Sequence, residues 1–365
     1  MTHAIIDAAV HPNVRHDEDL RDFLDEPWKH RVFAPIDRYF YPVPGGQYAP
    51  RSRHQQGLPG SDPDLLEHQL FEEAGVDIAI LLPLTRGLNL DTDVNSAVCE
   101  ATNRWLAQTW LGERNKHGRL KGTIRINPGD PDRAVEEIER WAAHPHMVQI
   151  GVPMSSPVRY GDRSFFRIWE CAARHKLPVA VHLDAGAGAE LESSPVGDFR
   201  HFVEYSCFSP ANFYFHLANL ITNGVFDRLP DLVFVFADGG ADQVMPLIWR
   251  LDADWRANLD DHPWARDQPS TYLADHVRFV TNPMEGPIAP QSWPRWLELS
   301  DAARLLMYGS DYPHWSFTEP GELLPDTVDQ RVRHRILGGN AAELYRLESS
   351  TETSRGGRDD DRAEA

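Results

Sequence analysis

Short apolar runs alternate with longer amphipathic stretches along most of the chain. A short run bounded by turn residues predicts a buried strand, and apolar positions spaced by three and four residues predict the helix that follows it. The strands are rich in Val, Ile, Leu and Phe on both faces, which indicates a sheet covered on both sides. The predicted strands cover residues 4–10, 77–82, 120–126, 147–152, 178–183, 232–237, 276–281 and 304–308. Eight such units predict one α/β domain over residues 1–348, a (β/α)₈ TIM barrel.

A helix is predicted after each strand. The helices cover residues 61–74, 91–111, 131–143, 163–175, 211–223, 242–258, 290–300, 326–337 and 341–347. Ser61 is predicted to cap the first of them, with Asp64 three positions further on in a capping arrangement.

Three segments fall outside this alternation. Residues 12–60, dense in Pro, Gly, Arg and aromatic residues, leave the C-terminal end of the first strand. Loops of this length in a compact domain are usually functional, so we expect a lid or pocket wall over the barrel mouth. Residues 184–210 form a second insertion on the same face. Residues 349–365 contain no aliphatic side chain larger than Ala and predict a disordered acidic tail.

Charge and composition narrow the range of partners. The formal net charge of −19 argues against nucleic acid or an anionic membrane, because phosphate binding needs a basic surface. No apolar run approaches the roughly 18 residues of a membrane span, and the N-terminus lacks the pattern of a signal peptide. Three cysteines without CxxC spacing fit a reduced compartment. We therefore expect a cytoplasmic protein with a small-molecule partner.

The ends of three predicted strands carry residue types that bind metals. His11 follows the first strand, His182 ends the fifth, and Asp311 follows the eighth within Gly-Ser-Asp-Tyr-Pro-His. In a barrel these ends converge on one site. Two imidazoles and one carboxylate suit Zn²⁺ or a similar divalent ion, with coordination left open for water or substrate. Period-two alternation also places Asp7 and Ala9 on the same face as His11.

Three further residues are candidates for the chemistry, each with an alternative. Asp238 precedes two glycines and is either a ligand or proton-transfer group, or the cap of the next helix. His314 either orients Asp311 and contacts substrate, or lies on the surface. His216 lies on a mostly apolar helical face, from which it either reaches the site as a catalytic group or packs in the core.

Arginines are the candidates for binding a substrate carboxylate, because guanidinium groups hold carboxylates bidentately. Arg125 lies at the end of the third predicted strand. Arg51, close to Arg53 and His54 in the long insertion, either binds substrate or belongs to a solvated basic turn.

A series of motifs in order along the chain resembles one protein family. They are IDAAVHP at residues 6–12, DPDRAVEE at 130–137, LPVAVH at 177–182, GVFDRLP at 224–230, DGG at 238–240 with WRLD at 249–252, GSDYPH at 309–314 and NAAELY at 340–345. The chain thereby resembles, over residues 4–347, the amidohydrolase-related family that includes aminocarboxymuconate-semialdehyde decarboxylase and γ-resorcylate decarboxylase.

The resemblance implies a distorted (β/α)₈ barrel with one divalent metal, usually Zn²⁺ and sometimes Mn²⁺. By this resemblance His11, His182 and Asp311 would be metal ligands, and Asp311 would also be a proton carrier. The resemblance further implies that the protein forms a homo-oligomer, in the form of a dimer. Two positions depart from the family pattern. Ala9 stands where similar enzymes have a metal ligand, and Asp238 stands where they often have His or Glu. Either Asp238 or Asp7 supplies the missing ligand, or the metal is weakly bound or absent.

These observations predict a metal-dependent enzyme that acts on a small carboxylated or carbonyl-bearing molecule. A non-oxidative decarboxylase of a small, aromatic carboxylic acid is favoured, because the better understood relatives with a similar ending to their eighth strand include carboxy-lyases. The first alternative is a metal-dependent hydrolase of an amide, ester or lactone. The second, motivated by Ala9, is a metal-free barrel with a binding or non-hydrolytic role.

Overall fold

Eight parallel strands form the centre of the computed structural model, which describes residues 4–16, 18–30, 48–53, 57–84, 91–156, 158–182, 201–284 and 286–347. Each strand pairs with the next in chain order. The strands are β1 Ile6–Val10, β2 Ile78–Leu81, β3 Leu120–Arg125, β4 Met147–Pro153, β5 Val179–His182, β6 Phe234–Phe236, β7 Val277–Val280 and β8 Leu306–Met307. Hydrogen bonds from Ala8 N to Tyr308 O (2.8 Å) and from His11 N to Tyr312 O (2.7 Å) join the two ends of the sheet. The predicted (β/α)₈ barrel is confirmed.

Helices surround the barrel. They are α1 Pro63–Glu67, α2 Thr92–Trp105, α3 Pro131–Trp141, α4 Phe166–His175, α5 Phe202–Phe208, α6 Ala211–Thr222, α7 Val225–Arg228, α8 Ala241–Trp255, α9 Pro269–His276, α10 Trp293–Leu299, α11 Ala302–Leu305, α12 Gln330–His334 and α13 Asn340–Tyr345. Wider turns extend α1 through His68–Glu73, α2 through Leu106–Trp110 and α12 through Arg335–Gly339. Over the ranges described, no helix is both long and apolar enough to cross a membrane.

Two apolar layers hold the barrel together. The inner layer fills the barrel with side chains from six strands or their ends, namely Ile6, Ala8, Ala9, Ile78, Ile80, Leu82, Ala180, Val235, Ala237, Val280 and Met307. The outer layer packs the opposite faces of the strands, such as Ile124, Val152 and Phe234, against the helices. The strands that contribute to both layers read as continuous apolar runs, whereas β3 and β4 carry the polar residues Thr123, Arg125 and Gln149.

The predicted cap of the first helix is wrong by one residue. Asp62 caps α1, accepting hydrogen bonds from the N–H groups of Asp64 (3.0 Å) and Leu65 (3.3 Å). Pro63 occupies the first helical position, where its fixed φ fits the helix and its missing N–H costs nothing. The proline therefore moves the cap from Ser61 to the residue directly before it.

The predicted alternation in the first strand is also wrong. The pairing of β1 with β2 shifts register between Asp7 and Val10, and the neighbouring residues Ala8 and Ala9 both join the inner layer. The Asp7 carboxylate Oδ1 accepts hydrogen bonds from the backbone N–H groups of Ala9 (3.2 Å) and Ser310 (2.9 Å). An irregularity of this kind re-aims the side chains at a strand end.

The described parts of the long insertion connect to both the helical layer and the barrel mouth. Leu24 packs against Ala97 and Ala101 of α2. Tyr48 forms a bridge with His314, onto which its ring stacks with centroids 5.8 Å apart. The rest of the predicted lid (17, 31–47 and 54–56, which include Tyr39 and His54), most of the second insertion (183–200) and the predicted tail lie outside the described residues.

Candidate active site

The barrel brings the three predicted metal ligands together. His11 lies directly after β1, His182 is the last residue of β5, and Asp311 lies in the turn after β8. The rings of His11 and His182 have centroids 4.6 Å apart, and His11 Nε2 lies 3.2 Å from Asp311 Oδ1. Both histidines are buried, and the side chain of Asp311 is 14% exposed.

The turn after β8 gives Asp311 its position. Asp311 has a φ of 60°, in the left-handed region that Asp adopts more readily than most residues. Its N–H donates to Ala9 O (3.1 Å), and its carbonyl accepts from His314 N (2.8 Å). Gly309 allows the strand end to lie against β7, since a Cβ there would come within 2.2 Å of Val280 Cγ1. The turn therefore fixes the direction of the carboxylate.

Side chains of the same turn occupy both oxygens of Asp311. His314 Nδ1 donates to Oδ1 over 2.7 Å, and the Ser316 hydroxyl donates to Oδ2. Burial alone would raise the pKa of the Asp311 carboxyl, but the His314 and His11 imidazoles outweigh burial and hold that pKa below its ordinary range. Asp311 is thus a carboxylate at every physiological pH.

The donor set fits a divalent cation. His11 Nδ1 donates to the Leu82 carbonyl over 2.9 Å, so the buried Nε2, 3.2 Å from Asp311 Oδ1, is the ring nitrogen available to a cation. The buried Nδ1 of His182 has no hydrogen-bond partner among the residues that the structure describes. Burial, with a smaller contribution from His11, lowers the pKa of His182 well below its ordinary value, so this imidazole is neutral and able to coordinate. The ligand atoms of His11, Asp311 and His314 lie within 4.8 Å of one another, and a cation bound among them would satisfy His11 Nε2, which is otherwise costly to bury.

The first strand carries one candidate ligand, His11, and a methyl group at Ala9. The Ala9 methyl is buried and lies close to Gly309, where an added Cβ would be 3.1 Å away. The Asp7 carboxyl is fully buried, and burial raises its pKa to about 7. Because its Oδ1 already accepts two backbone bonds, Asp7 ties β1 to the turn after β8.

Asp238 lies at the barrel mouth just after β6. It is half-buried, and burial together with the negative charge of Asp311 raises the pKa of its carboxyl well above the ordinary value. The alternative that Asp238 caps the next helix is wrong, because Gly240 occupies the cap position of α8 and no side chain bonds there. Gly239 and Gly240 have φ values of 81° and 93°, so the glycines make the turn and leave the Asp238 side chain out of the helix end.

His216 on α6 has both ring nitrogens engaged by backbone groups. Its Nε2 donates to Met154 O over 2.8 Å, and its Nδ1 accepts from Tyr160 N over 3.2 Å. The ring stacks on Tyr160 with centroids 4.3 Å apart, and burial lowers the pKa of His216 to about 4. These contacts match the packing alternative, in which His216 joins the end of β4 to α6.

The two candidate arginines have different surroundings. Arg125 at the end of β3 is fully buried, and the Asn103 side chain bonds both its backbone N–H (2.7 Å) and its carbonyl (2.8 Å). Gly151 on β4 makes room for it, since a Cβ there would lie 2.8 Å from Arg125 Nη1. Arg51 forms an ion pair with Glu319 (2.5 Å) and lies over the Phe317 ring at 4.4 Å. Only Arg125 is inside the barrel.

Two further side chains contact the site without being among the residues predicted for it. Ser316 bonds Asp311, and Tyr48 stacks on His314. Ser316 follows the GSDYPH motif by two positions, so its place in the same turn was the available signal. Tyr48 has no local signal, because its contact depends on the path of the long insertion.

Residues 6–347 match the model of a protein family described as amidohydrolase, as the motifs predict. A comparison with curated proteins finds no significant match. Among solved structures, an amidohydrolase from Mycobacterium avium subsp. paratuberculosis is similar over 94% of this chain and 100% of its own, with 21% identity and a TM-score of 0.71. A dihydroxybenzoic acid decarboxylase from a Polaromonas species, with bound manganese and the inhibitor 2-nitroresorcinol, is similar over 97% and 100%, with 18% identity and a TM-score of 0.68. A 5-carboxyvanillate decarboxylase from Sphingomonas paucimobilis is similar over 95% and 100%, with 19% identity and a TM-score of 0.62.

Proposed function

The chain belongs to the amidohydrolase family, and from that premise we propose that it is a metal-dependent, non-oxidative decarboxylase of a small aromatic carboxylic acid. The contrast between two carboxyl groups at the barrel mouth carries the proposal. Burial and the negative charge of Asp311 raise the pKa of Asp238 and so favour its protonated form, whereas the lowered pKa of Asp311 favours the carboxylate. A decarboxylase needs an acid to protonate carbon, and Asp238 is a group of that kind. Decarboxylases among the similar structures support the same reading.

The environment of Asp311 argues against ordinary hydrolysis. A hydrolase of this family needs a general base, and an efficient base has a pKa near the working pH. Hydrogen bonds from His314 and Ser316 occupy both oxygens of Asp311, and its pKa lies below the ordinary range. Asp311 is therefore a weak base and a strong anionic ligand, so we assign proton delivery to Asp238.

His11, His182 and Asp311 would hold the cation. When bound, a divalent metal supplies a Lewis acid for the substrate carboxylate and a neighbouring oxygen. Two imidazoles and a carboxylate suit Zn²⁺, and the Polaromonas relative carries manganese, so we propose Zn²⁺ or Mn²⁺ as the native ion.

The remaining residues bind and orient. We propose that Arg125 binds the substrate's anionic group. Its guanidinium is buried, and it is close enough to His182 for its positive charge to contribute to the lowered pKa of that imidazole. His314 orients Asp311 through the 2.7 Å hydrogen bond. When the carboxyl–ring bond breaks, its electron pair stays on the ring carbon, CO₂ leaves, and Asp238 gives that carbon its proton. His216 and Arg51 stay outside the reaction, because their polar atoms have other partners.

Elemental analysis and a CO₂-release assay test the proposal. Protein purified without chelator should carry close to one equivalent of Zn²⁺ or Mn²⁺, and it should release CO₂ from at least one member of a panel of hydroxylated benzoic acids. Hydrolysis of an amide, ester or lactone without CO₂ release from any acid would refute the decarboxylase proposal.

Ala9 supports a second candidate, a metal-free barrel with a binding role. The side chain that would complete the first-strand ligand pair is a buried methyl group. Less than about a tenth of an equivalent of any divalent metal, even after soaking with Zn²⁺ or Mn²⁺, would favour this candidate over the enzyme.

The cytoplasmic location and the homodimeric state are further proposals, which rest on composition and on the family resemblance. Light scattering of the purified protein would test the dimer, since a dimer has twice the 41.4 kDa mass of the chain.

A further inference from the structure

A cavity lies beside the candidate active site, between the segments that follow β7 and β8. Its volume is about 490 Å³, within the roughly 300–1,000 Å³ range of small-molecule pockets. Trp293, Met284 and Leu323 give it an apolar side, while Asn282, Ser316 and Glu322 give it a polar side. We call it the Trp293 cleft.

The Trp293 cleft shares a wall with the support of Asp311. The Ser316 hydroxyl donates to Asp311 Oδ2, and the Asn282 side-chain amide donates to the carbonyls of Ser310 (3.1 Å) and Ser316 (2.8 Å). These bonds hold the wall in place and separate the cleft from His11 and His182, which do not line it. A ligand in the cleft would therefore lie next to the reaction centre without occupying it.

The charges of the cleft select against an anion. Glu322 carries the one formal charge among the described lining residues, which include no Lys, Arg or His. The Asn282 amide nitrogen is used in the bonds to Ser310 and Ser316, whereas its oxygen accepts no hydrogen bond from a described residue. A carboxylate would meet like charge and an acceptor, but a neutral O–H group could donate to the amide oxygen.

We propose that the Trp293 cleft binds a neutral hydroxylated aromatic molecule and excludes the corresponding acid. This inference rests on the proposed function, because a phenol is what remains when a hydroxylated aromatic acid loses its carboxylate as CO₂ and its ring carbon gains a proton. The acid would bind at the metal centre beside Arg125, and the neutral product would have a separate binding place behind Ser316.

Fluorine NMR titration of the metal-free full-length protein tests the inference with a matched pair of probes. We expect the binding that the cleft substitutions change to be at least about tenfold tighter for 4-fluorophenol than for 4-fluorobenzoate, whose binding beside Arg125 is separate from the cleft. Leu323→Trp, which fills the cleft, should weaken 4-fluorophenol binding by a similar factor. Glu322→Lys, at an exposed position, should raise the affinity for 4-fluorobenzoate. Asp231→Lys makes the same charge change at an exposed position before β6, at the opposite end of the barrel, and should leave both affinities unchanged.

Equal affinity of the cleft for the two probes would overturn the inference, and so would binding that neither cleft substitution changes. Because Leu323 is buried, Glu322→Lys alone decides the matter if Leu323→Trp does not fold. Phenol-selective binding without CO₂ release from any acid would remove the decarboxylase proposal and keep the cleft as a phenol site. CO₂ release without cleft-dependent phenol binding would remove only the cleft.

Discussion

The ends of β6 and β8 each place a carboxyl group at the barrel mouth, and the surroundings of the two groups differ. Asp311 after β8 accepts hydrogen bonds from His314 and Ser316, and His11 Nε2 lies 3.2 Å away. Asp238 after β6 accepts no hydrogen bond within the described parts of the chain. Burial raises the pKa of both groups, but only Asp311 has imidazole neighbours that reverse the effect. Neighbours, not burial, therefore set the opposite pKa shifts on which the proposed roles of Asp311 as a ligand and Asp238 as an acid rest.

The backbone turns that carry the two carboxyl groups also differ. The turn after β8 is braced from β7, where the Thr281 hydroxyl accepts from Gly309 N (3.2 Å) and the Asn282 amide donates to Ser310 O. The turn after β6 consists of two glycines with positive φ. A metal ligand must be held rigidly, whereas a proton donor must reach its acceptor and exchange with water. The two turns fit these two roles.

Asp311→Asn should produce the largest effect. The neutral amide keeps the size of the side chain but removes the only anionic ligand in the proposed set, so we expect metal content to fall below a tenth of an equivalent and CO₂ release to be lost. Elemental analysis after dialysis measures this change. Glu343→Gln, an exposed carboxylate on α13, is the matched control. Full metal content in Asp311→Asn would contradict its role as a ligand.

Asp238→Asn should have the next largest effect, on kcat and not on metal content. Loss of a general acid typically costs about 10²–10⁴ in rate. We expect kcat for CO₂ release to fall in this range, while bound metal stays within error of the wild type. Parallel kinetics and elemental analysis separate this variant from Asp311→Asn. If Asp238→Asn instead lost the metal, Asp238 would be the ligand that replaces the side chain missing at Ala9.

The pH dependence of stability should have opposite signs for the two carboxyls in metal-free protein. The folded pKa of Asp238 is raised, so its stabilisation is complete below about pH 3.9 and is lost as pH rises toward the folded pKa. The folded pKa of Asp311 is lowered, so its stabilisation is present above about pH 3.9 and is lost as pH falls. Urea unfolding of wild type, Asp238→Asn and Asp311→Asn between pH 3 and 8 measures both slopes. For each variant, the difference from wild type in the free energy of unfolding is plotted against pH. Slopes of the same sign for Asp238→Asn and Asp311→Asn would contradict the opposite pKa shifts.

The sequence predicts where the candidate ligands lie better than it predicts the charge states of the two carboxyl groups. The strand count and the positions of His11, His182 and Asp311 follow from apolar runs, because parallel strand ends meet at one mouth whatever the loops do. The opposite charge states of Asp238 and Asp311 depend on which imidazoles approach each carboxyl. The break in alternation at Ala8 depends on the register of β1 against β2. Neither is encoded by local pattern.

Ser316→Ala should have a smaller effect, on metal affinity, and it tests the hydrogen bond that holds the Asp311 carboxylate in place. Removing a hydrogen bond to a metal ligand typically weakens metal affinity roughly 10–100-fold. The pKa of Asp311 should also rise, because one oxygen loses its donor. Competition with a fluorescent chelator measures the affinity. Thr318→Val is the control, since the Thr318 hydroxyl donates to the Ser316 carbonyl (2.9 Å) and not to Asp311.

Arg51→Ala should have the smallest effect and tests the boundary of the site. Arg51 is joined to Glu319 by an ion pair in which both side chains are more than a third exposed, at 35% and 38%. Exposed pairs contribute about 0–1 kcal/mol, so thermal unfolding should change little. The KM for the acid should change by less than about threefold, whereas Arg125→Lys should raise it much more, because a lysine cannot hold a carboxylate bidentately. An equal rise in both variants would mean that substrate extends to Arg51, and that the turn after β8 binds substrate as well as metal.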